Sequence, residues 1–129
     1  MIIIGTGSRE WENIFPIRKV MMDITDEFPD FIYYHGAQRG FDIKSAIELR
    51  RIRTMVIKPF YADWKQYDKA AGMARNREML ASALLHDKKI LLIAMPLENS
   101  IGTYGMINIC TRAKIEVRIY NDKGELVAC

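Results

Sequence analysis

Three short stretches of this chain combine glycine with hydroxyl, amide or guanidinium side chains, and each follows an apolar run. They are Gly5-Thr6-Gly7-Ser8-Arg9, His35-Gly36-Ala37-Gln38-Arg39-Gly40-Phe41-Asp42 and Met95-Pro96-Leu97-Glu98-Asn99-Ser100-Ile101-Gly102-Thr103. Glycine lets backbone approach a ligand closely or take a positive φ. Where such a stretch runs into a helix, the free N–H groups of the first turn favour an anion. Arginine adds a planar cation that can make two parallel hydrogen bonds. The chemistry these residues suit is the holding of a small phosphorylated ligand. Arg9 or Arg39 would neutralise its charge, and Asp42 would cap free N–H groups or accept a ligand hydroxyl.

None of the loops completes a standard phosphate fingerprint. Glu10 stands where the dinucleotide pattern has its third glycine, and no Gly-Lys-Ser/Thr follows. Each loop also has a plainer use. Ser100 and Thr103 are natural helix caps. Arg9 beside Glu10 is an ordinary surface pair worth ~0–1 kcal/mol. Arg75-Asn76 fits a solvated helix face. Trp11 and Trp64 suit a core more readily than a base-stacking platform, and the sequence leaves either open. It is the recurrence of one loop chemistry that points to a site.

The elements that must position these loops alternate. Ile2-Ile3-Ile4 reads as a strand buried on both faces. Trp11 to Glu27 has helical spacing, with Pro16 marking the first turn. Phe31 to Tyr34 is a second strand, and residues 41–53 are a helix with Ile43, Ala46, Ile47 and Leu49 inward. Thr54 to Ile57 is a third strand, Lys58 to Trp64 a loop, and Gln66 to Leu85 contains a long helix with a soft point at Gly72. Lys89 to Ala94 is a fourth strand, Tyr104 to Lys114 a helix, and Ile115 to Tyr120 an alternating edge strand followed by a turn and tail.

This alternation predicts an α/β fold: a three-layer α/β/α, Rossmann-like sandwich with a five-stranded, mainly parallel sheet in the order 3-2-1-4-5. Ligands of such sheets sit beyond the carboxyl ends of the strands, where strand order reverses. That point lies between the first and fourth strands, at two of the three loops.

With 129 residues and no linker or repeat, the chain is expected to form one domain, 1–129. A net charge of +3 with interspersed signs gives no strong nucleic-acid signal. No apolar run reaches the ~20 residues of a membrane span, so no membrane partner is expected and the location is read as cytoplasmic. Two cysteines, Cys110 and Cys129, give neither a disulfide framework nor metal spacing. His35 and His86 are the only histidines. No hydrolytic triad, metal site or cofactor is expected, and no catalytic residue is assigned.

Taken together, Gly7-Ser8-Arg9 with Trp11, the His35 to Asp42 loop, Trp64 with Ala70-Ala71-Gly72 and Arg75-Asn76, and Ser100-Ile101-Gly102-Thr103 resemble the YpsA-related branch of the SLOG superfamily, over roughly residues 1 to 120. The resemblance implies a Rossmann-like fold that binds nucleotides or molecules derived from them. Its ligand-binding residues would be Gly7, Ser8, Arg9, Gly36, Ala37, Arg39, Gly40, Asp42, Arg75, Asn76, Pro96, Ser100, Gly102 and Thr103. SLOG domains of bacterial defence proteins recognise NAD-derived signals, including cyclic ADP-ribose isomers. Small stand-alone members of this branch are frequent in bacteriophages, so one implied role is a sponge for a defence signal. The related LOG enzymes cleave the N-glycosidic bond of nucleoside monophosphates with a glutamate three positions after the loop threonine. Here that position is Met106, which argues against the same hydrolysis. A nucleotide hydrolase with another carboxylate and a protein-interaction module are the alternatives. Related folds pair through helix faces, so a homodimer or higher homo-oligomer is expected.

Overall fold

A computed structural model describes residues 1–129, except the side chain of Lys69. The apolar runs form strands β1 (Ile2–Gly7), β2 (Ile32–His35), β3 (Ile57–Pro59), β4 (Ile90–Met95) and β5 (Glu116–Tyr120), and a further strand, β6 (Leu126–Ala128). The helices are α1 (Ile14–Glu27), α2 (Phe41–Ile52), α3 (Trp64–Tyr67), α4 (Ala71–His86) and α5 (Ile101–Arg112), with a 3-10 turn at Asp68–Ala70. One sheet runs β3-β2-β1-β4-β5-β6. Its first five strands are parallel, in the order that the alternation predicts.

Two cores lie on opposite faces of this sheet. The period of two along β1 sends Ile3 to one face and Ile2 and Ile4 to the other. On the first face, Ile3, Tyr33, Leu91 and Ile93 pack against Ile17, Val20 and Met21 of α1 and Phe41 and Leu49 of α2. On the second, Ile2, Ile4, Tyr34 and Leu92 pack against Met79, Leu80 and Ala83 of α4 and Met106 and Cys110 of α5. β1 and β4 are buried along their whole length, which is why they read as unbroken apolar runs. Burial also pushes the Cys110 thiol up to about 12, so it is an inert core group.

The structure corrects three details. β5 is not the sheet edge, because the chain turns back at Asn121. The Asn121 Oδ1 accepts the N–H groups of Lys123 and Glu125, both at 2.9 Å. Gly124 supplies a φ of 76°, and β6 returns antiparallel to β5. The third strand begins later than Thr54 and includes Pro59, which an edge strand tolerates because its outer N–H is not needed. Ile43 and Ile47 are exposed, whereas α2 buries Ser45 and Glu48. Glu48 receives a forked pair from Arg18 of α1, at 3.2 Å for both bonds, and Ser45 shares a 2.7 Å hydrogen bond with Tyr33. Polar bonds thus set the rotation of α2, against its apolar periodicity. The long helix contained in Gln66 to Leu85 is α4, which starts at Ala71, beside the soft point Gly72, after the short α3 and the turn at Asp68–Ala70.

Gly5 shows how closely the first face is packed. A Cβ there would lie 1.8 Å from the Tyr33 hydroxyl oxygen, and Tyr33 is fully buried and bonded to Ser45. Gly5→Ala is therefore expected to destabilise the protein by about 1–3 kcal/mol through overpacking. The check is the urea midpoint at unchanged m-value; an unaltered midpoint would show that the ring can move aside.

Candidate ligand-binding site

The crevice at the reversal of strand order is built by the loops that leave β1 and β4. It encloses about 440 Å³ and is lined by Gly7, Ser8, Arg9, Ser100, Gly102 and Thr103 among the residues the sequence singles out. Glu10, Gln38, Glu98, Asn99 and Ile101 complete the wall.

Backbone bonds fix the first loop. The Ser8 N–H donates to the Met95 carbonyl of β4 (3.2 Å), and the Phe41 N–H of α2 donates to the Ser8 carbonyl (3.1 Å). The buried Trp11 indole N–H donates to the same Met95 carbonyl at 2.8 Å. Two glycines permit this approach. A Cβ on Gly7 would lie 2.3 Å from the Phe41 ring, and one on Gly40, where φ is 77°, would lie 2.5 Å from the Arg9 carbonyl oxygen. Gly7 and Gly40 thus serve the meeting of two loops.

The second loop behaves differently. Ser100 occupies the N-cap of α5 but makes no capping bond. Its hydroxyl pairs instead with the Thr103 hydroxyl at 2.6 Å. One O–H is spent between the two oxygens and the other remains able to donate. The first-turn N–H groups of α5 therefore have no side-chain acceptor, and the crevice lies at that end of the helix. A Cβ on Gly102 would meet nothing within 4 Å, so no packing demands glycine here.

Charge at the crevice is modest. Arg9 is the one cation in the lining, and it is exposed. Arg39 lies outside the lining and pairs with Glu10 on the surface at 3.1 Å. Among the described residues Glu98 makes no ion pair.

Arg75 and Asn76 are not a solvated face. Both are buried, and they brace the loops from behind. Arg75 Nη1 donates to the Gly36 carbonyl at 2.7 Å and its Nε to Asn76 Oδ1 at 3.0 Å, while Asn76 Nδ2 donates to the Gly102 carbonyl at 3.3 Å. The chain Gly36–Arg75–Asn76–Gly102 thus ties the loop after β2 to the first turn of α5. A Cβ on Gly36 would press on the Arg75 guanidinium at 2.9 Å. Gly36 and Ala37 line a neighbouring groove with Gln38 and Arg75. Pro96 lines a third depression with Tyr104 and Tyr120, which shares Glu98 and Asn99 with the crevice.

The structure also separates the two tryptophans: Trp11 is 5% exposed and Trp64 55%. Among the described residues no cluster of His, Cys, Asp and Glu is arranged to hold a metal ion, and no helix is long and apolar enough to cross a membrane. Met106 is fully buried beneath the sheet.

The chain is similar to the Gene 61 protein of Mycobacterium phage D29, with 29% identity over 126 residues, 94% of this chain and 97% of that protein. The two are distant homologues. No family model and no solved structure matches the chain significantly.

Two buried titratable groups flank the loop after β2, His35 at the end of β2 and Asp42 in the first turn of α2. His35 Nδ1 accepts the Ala37 N–H at 3.0 Å. Burial, with help from Arg50 and Arg75, lowers the imidazole to about 4, so it is neutral near pH 7. Asp42 is 4% exposed; its Oδ2 accepts the Gln38 N–H at 3.3 Å, and its Oδ1 has no partner. Burial pushes this carboxyl up to about 7, against the opposing pull of the Gln38 N–H and Arg75. Asp42 thus holds the loop from inside and is not in the crevice lining.

A pH prediction follows from Asp42. Its folded value is raised, so the folded chain keeps a proton that the unfolded chain loses. The stability from this proton is whole below pH about 4 and is lost as pH rises to about 7. Asp42→Asn has no such proton to lose. Its stability relative to wild type is expected to rise by about 2 kcal/mol between pH of about 5 and about 8, in urea unfolding at each pH. A difference independent of pH would mean that the carboxyl titrates at its ordinary value.

Proposed function

We propose that this protein binds a nucleotide or an NAD- or ADP-ribose-derived molecule in the crevice between the β1 and β4 loops. The observation that carries this reading is Gly102. It lies in the first turn of an α-helix without a side-chain cap and in the crevice lining, and alanine would fit there, since a Cβ would meet nothing within 4 Å. A phosphate set there would accept the Gly102 and Thr103 N–H groups, since that of Ile101 already donates to the Asn99 carbonyl, and the remaining Ser100/Thr103 hydroxyl proton. Arg9 would supply the one nearby positive charge, and Glu98 a carboxylate acceptor for ribose hydroxyls. One cation and one helix terminus suit a ligand with one or two phosphate groups better than a polyanion.

The loops that resemble the YpsA-related branch of the SLOG superfamily are among those that meet at this crevice, which supports the same reading. With a buried methionine at position 106, the place of the LOG glutamate offers no carboxylate to break a glycosidic bond. Binding without cleavage is therefore the activity proposed. A phage homologue of matching length supports a version in which the bound molecule is a host signal held away from its receptor.

Gly102→Ala tests the reading directly. Alanine in this helical turn is expected to leave stability unchanged or raise it by about 0.4–1 kcal/mol. Affinity for ADP-ribose or AMP is expected to fall by roughly tenfold or more, because the methyl group occupies phosphate space. Calorimetric titration of both proteins measures this. Equal affinities, or no saturable binding by wild type at micromolar levels, would contradict the proposal.

A further inference from the structure

The connection between β3 and α4 occupies residues 60–70, against ~2–6 residues for an ordinary strand-to-helix loop. It carries four aromatic residues, Phe60, Tyr61, Trp64 and Tyr67. Phe60 is buried against Tyr34, with ring centroids 5.0 Å apart, and anchors the segment. Tyr61 and Trp64 do not pack inward: they are 73% and 55% exposed. Both line a groove of about 290 Å³ with Gly36, Gln38 and Arg75. Gln38 also lines the phosphate crevice, so the two spaces share a wall. Arg75 is held there by its bonds to Gly36 and Asn76, and among the described residues its Nη2 makes no hydrogen bond.

We propose that this groove is the second lobe of the same ligand site, in which an aromatic base stacks on Trp64 and Tyr61. The inference rests on the nucleotide reading of the crevice and adds which end of the ligand goes where. Aromatic faces suit a planar base without demanding one particular sequence of donors and acceptors. The free Arg75 Nη2 donates to an acceptor on the base edge, a ring nitrogen or a carbonyl. In a ligand of this kind the nucleoside half reaches from the groove to the crevice: the base lies in the groove, its ribose passes Gln38, and the phosphate that follows sits at the start of α5. The short helix α3 keeps Trp64 in place: Asp63 caps it, its Oδ1 accepting the Gln66 N–H at 3.1 Å.

The test compares ADP-ribose with ribose 5-phosphate, which lacks the base, on the full chain. Trp64→Ala is expected to weaken ADP-ribose roughly tenfold and to leave ribose 5-phosphate, titrated to millimolar levels, unchanged. Trp64→Phe, which keeps a stacking face, is expected to retain most of the affinity. Because Trp11 is buried and Trp64 exposed, ADP-ribose is also expected to quench and blue-shift the wild-type emission, and Trp64→Phe to abolish that response. An Ala variant that binds ADP-ribose as wild type does, or that weakens both ligands equally, would overturn the base lobe while leaving the crevice standing. If wild type binds neither ligand, the crevice reading falls and the lobe with it.

Discussion

The structure of the site depends on how closely the turn after β1 approaches the turn after β2. Gly7 lies against the Phe41 ring, Gly40 against the Arg9 carbonyl, and Ser8 is bonded through its backbone to both Met95 and Phe41. Any side chain at positions 7 or 40 would force these segments apart, and position 40 also needs a φ that other residues rarely adopt. Because the turn is anchored on both sides, the crevice beside it has a defined wall before a ligand arrives. Pre-formed walls spare a ligand the cost of ordering loops.

A second brace runs behind the first. The buried Arg75–Asn76 pair links the Gly36 carbonyl to the Gly102 carbonyl, and so fixes the loop after β2 relative to the start of α5. Burying a guanidinium is expensive unless its donors are used. Here two are spent on the brace, and the nearby Asp42 lends electrostatic help that its own burial limits. Function thus divides within the loops. Gly40, Asp42, Arg75 and Asn76 hold the frame, Ser8, Arg9, Ser100, Gly102 and Thr103 line the space it encloses, and Gly7 does both.

Much of the fold was legible because buried parallel strands leave a plain signal. Ile2-Ile3-Ile4 and Ile90 to Ala94 are apolar without interruption, and helical spacing between strands implies their parallel order. The meeting of the β1 and β4 loops followed from that order. What periodicity could not show was the direction of polar side chains. Ser45, Glu48, Arg75 and Asn76 look like surface residues, and their burial depends on partners distant in sequence: Tyr33, Arg18, Gly36 and Gly102. Trp64 was ambiguous because the segment that carries it has no regular period. The hairpin that adds β6 depends on the Asn121 side chain and the positive φ of Gly124, neither of which leaves an apolar trace. Glu98 carried no motif, yet its position before a free helix end places it on the crevice wall.

The central claim is that a phosphorylated ligand sits on the start of α5, beside the β1 turn. Amide chemical shifts recorded during titration with ADP-ribose test it most directly, since each N–H reports its own surroundings. The account predicts saturable shifts concentrated at Ser8, Arg9, Gly102 and Thr103, with smaller ones at Gln38. Saturable shifts confined to another face, or none at these amides at millimolar ligand, would contradict it.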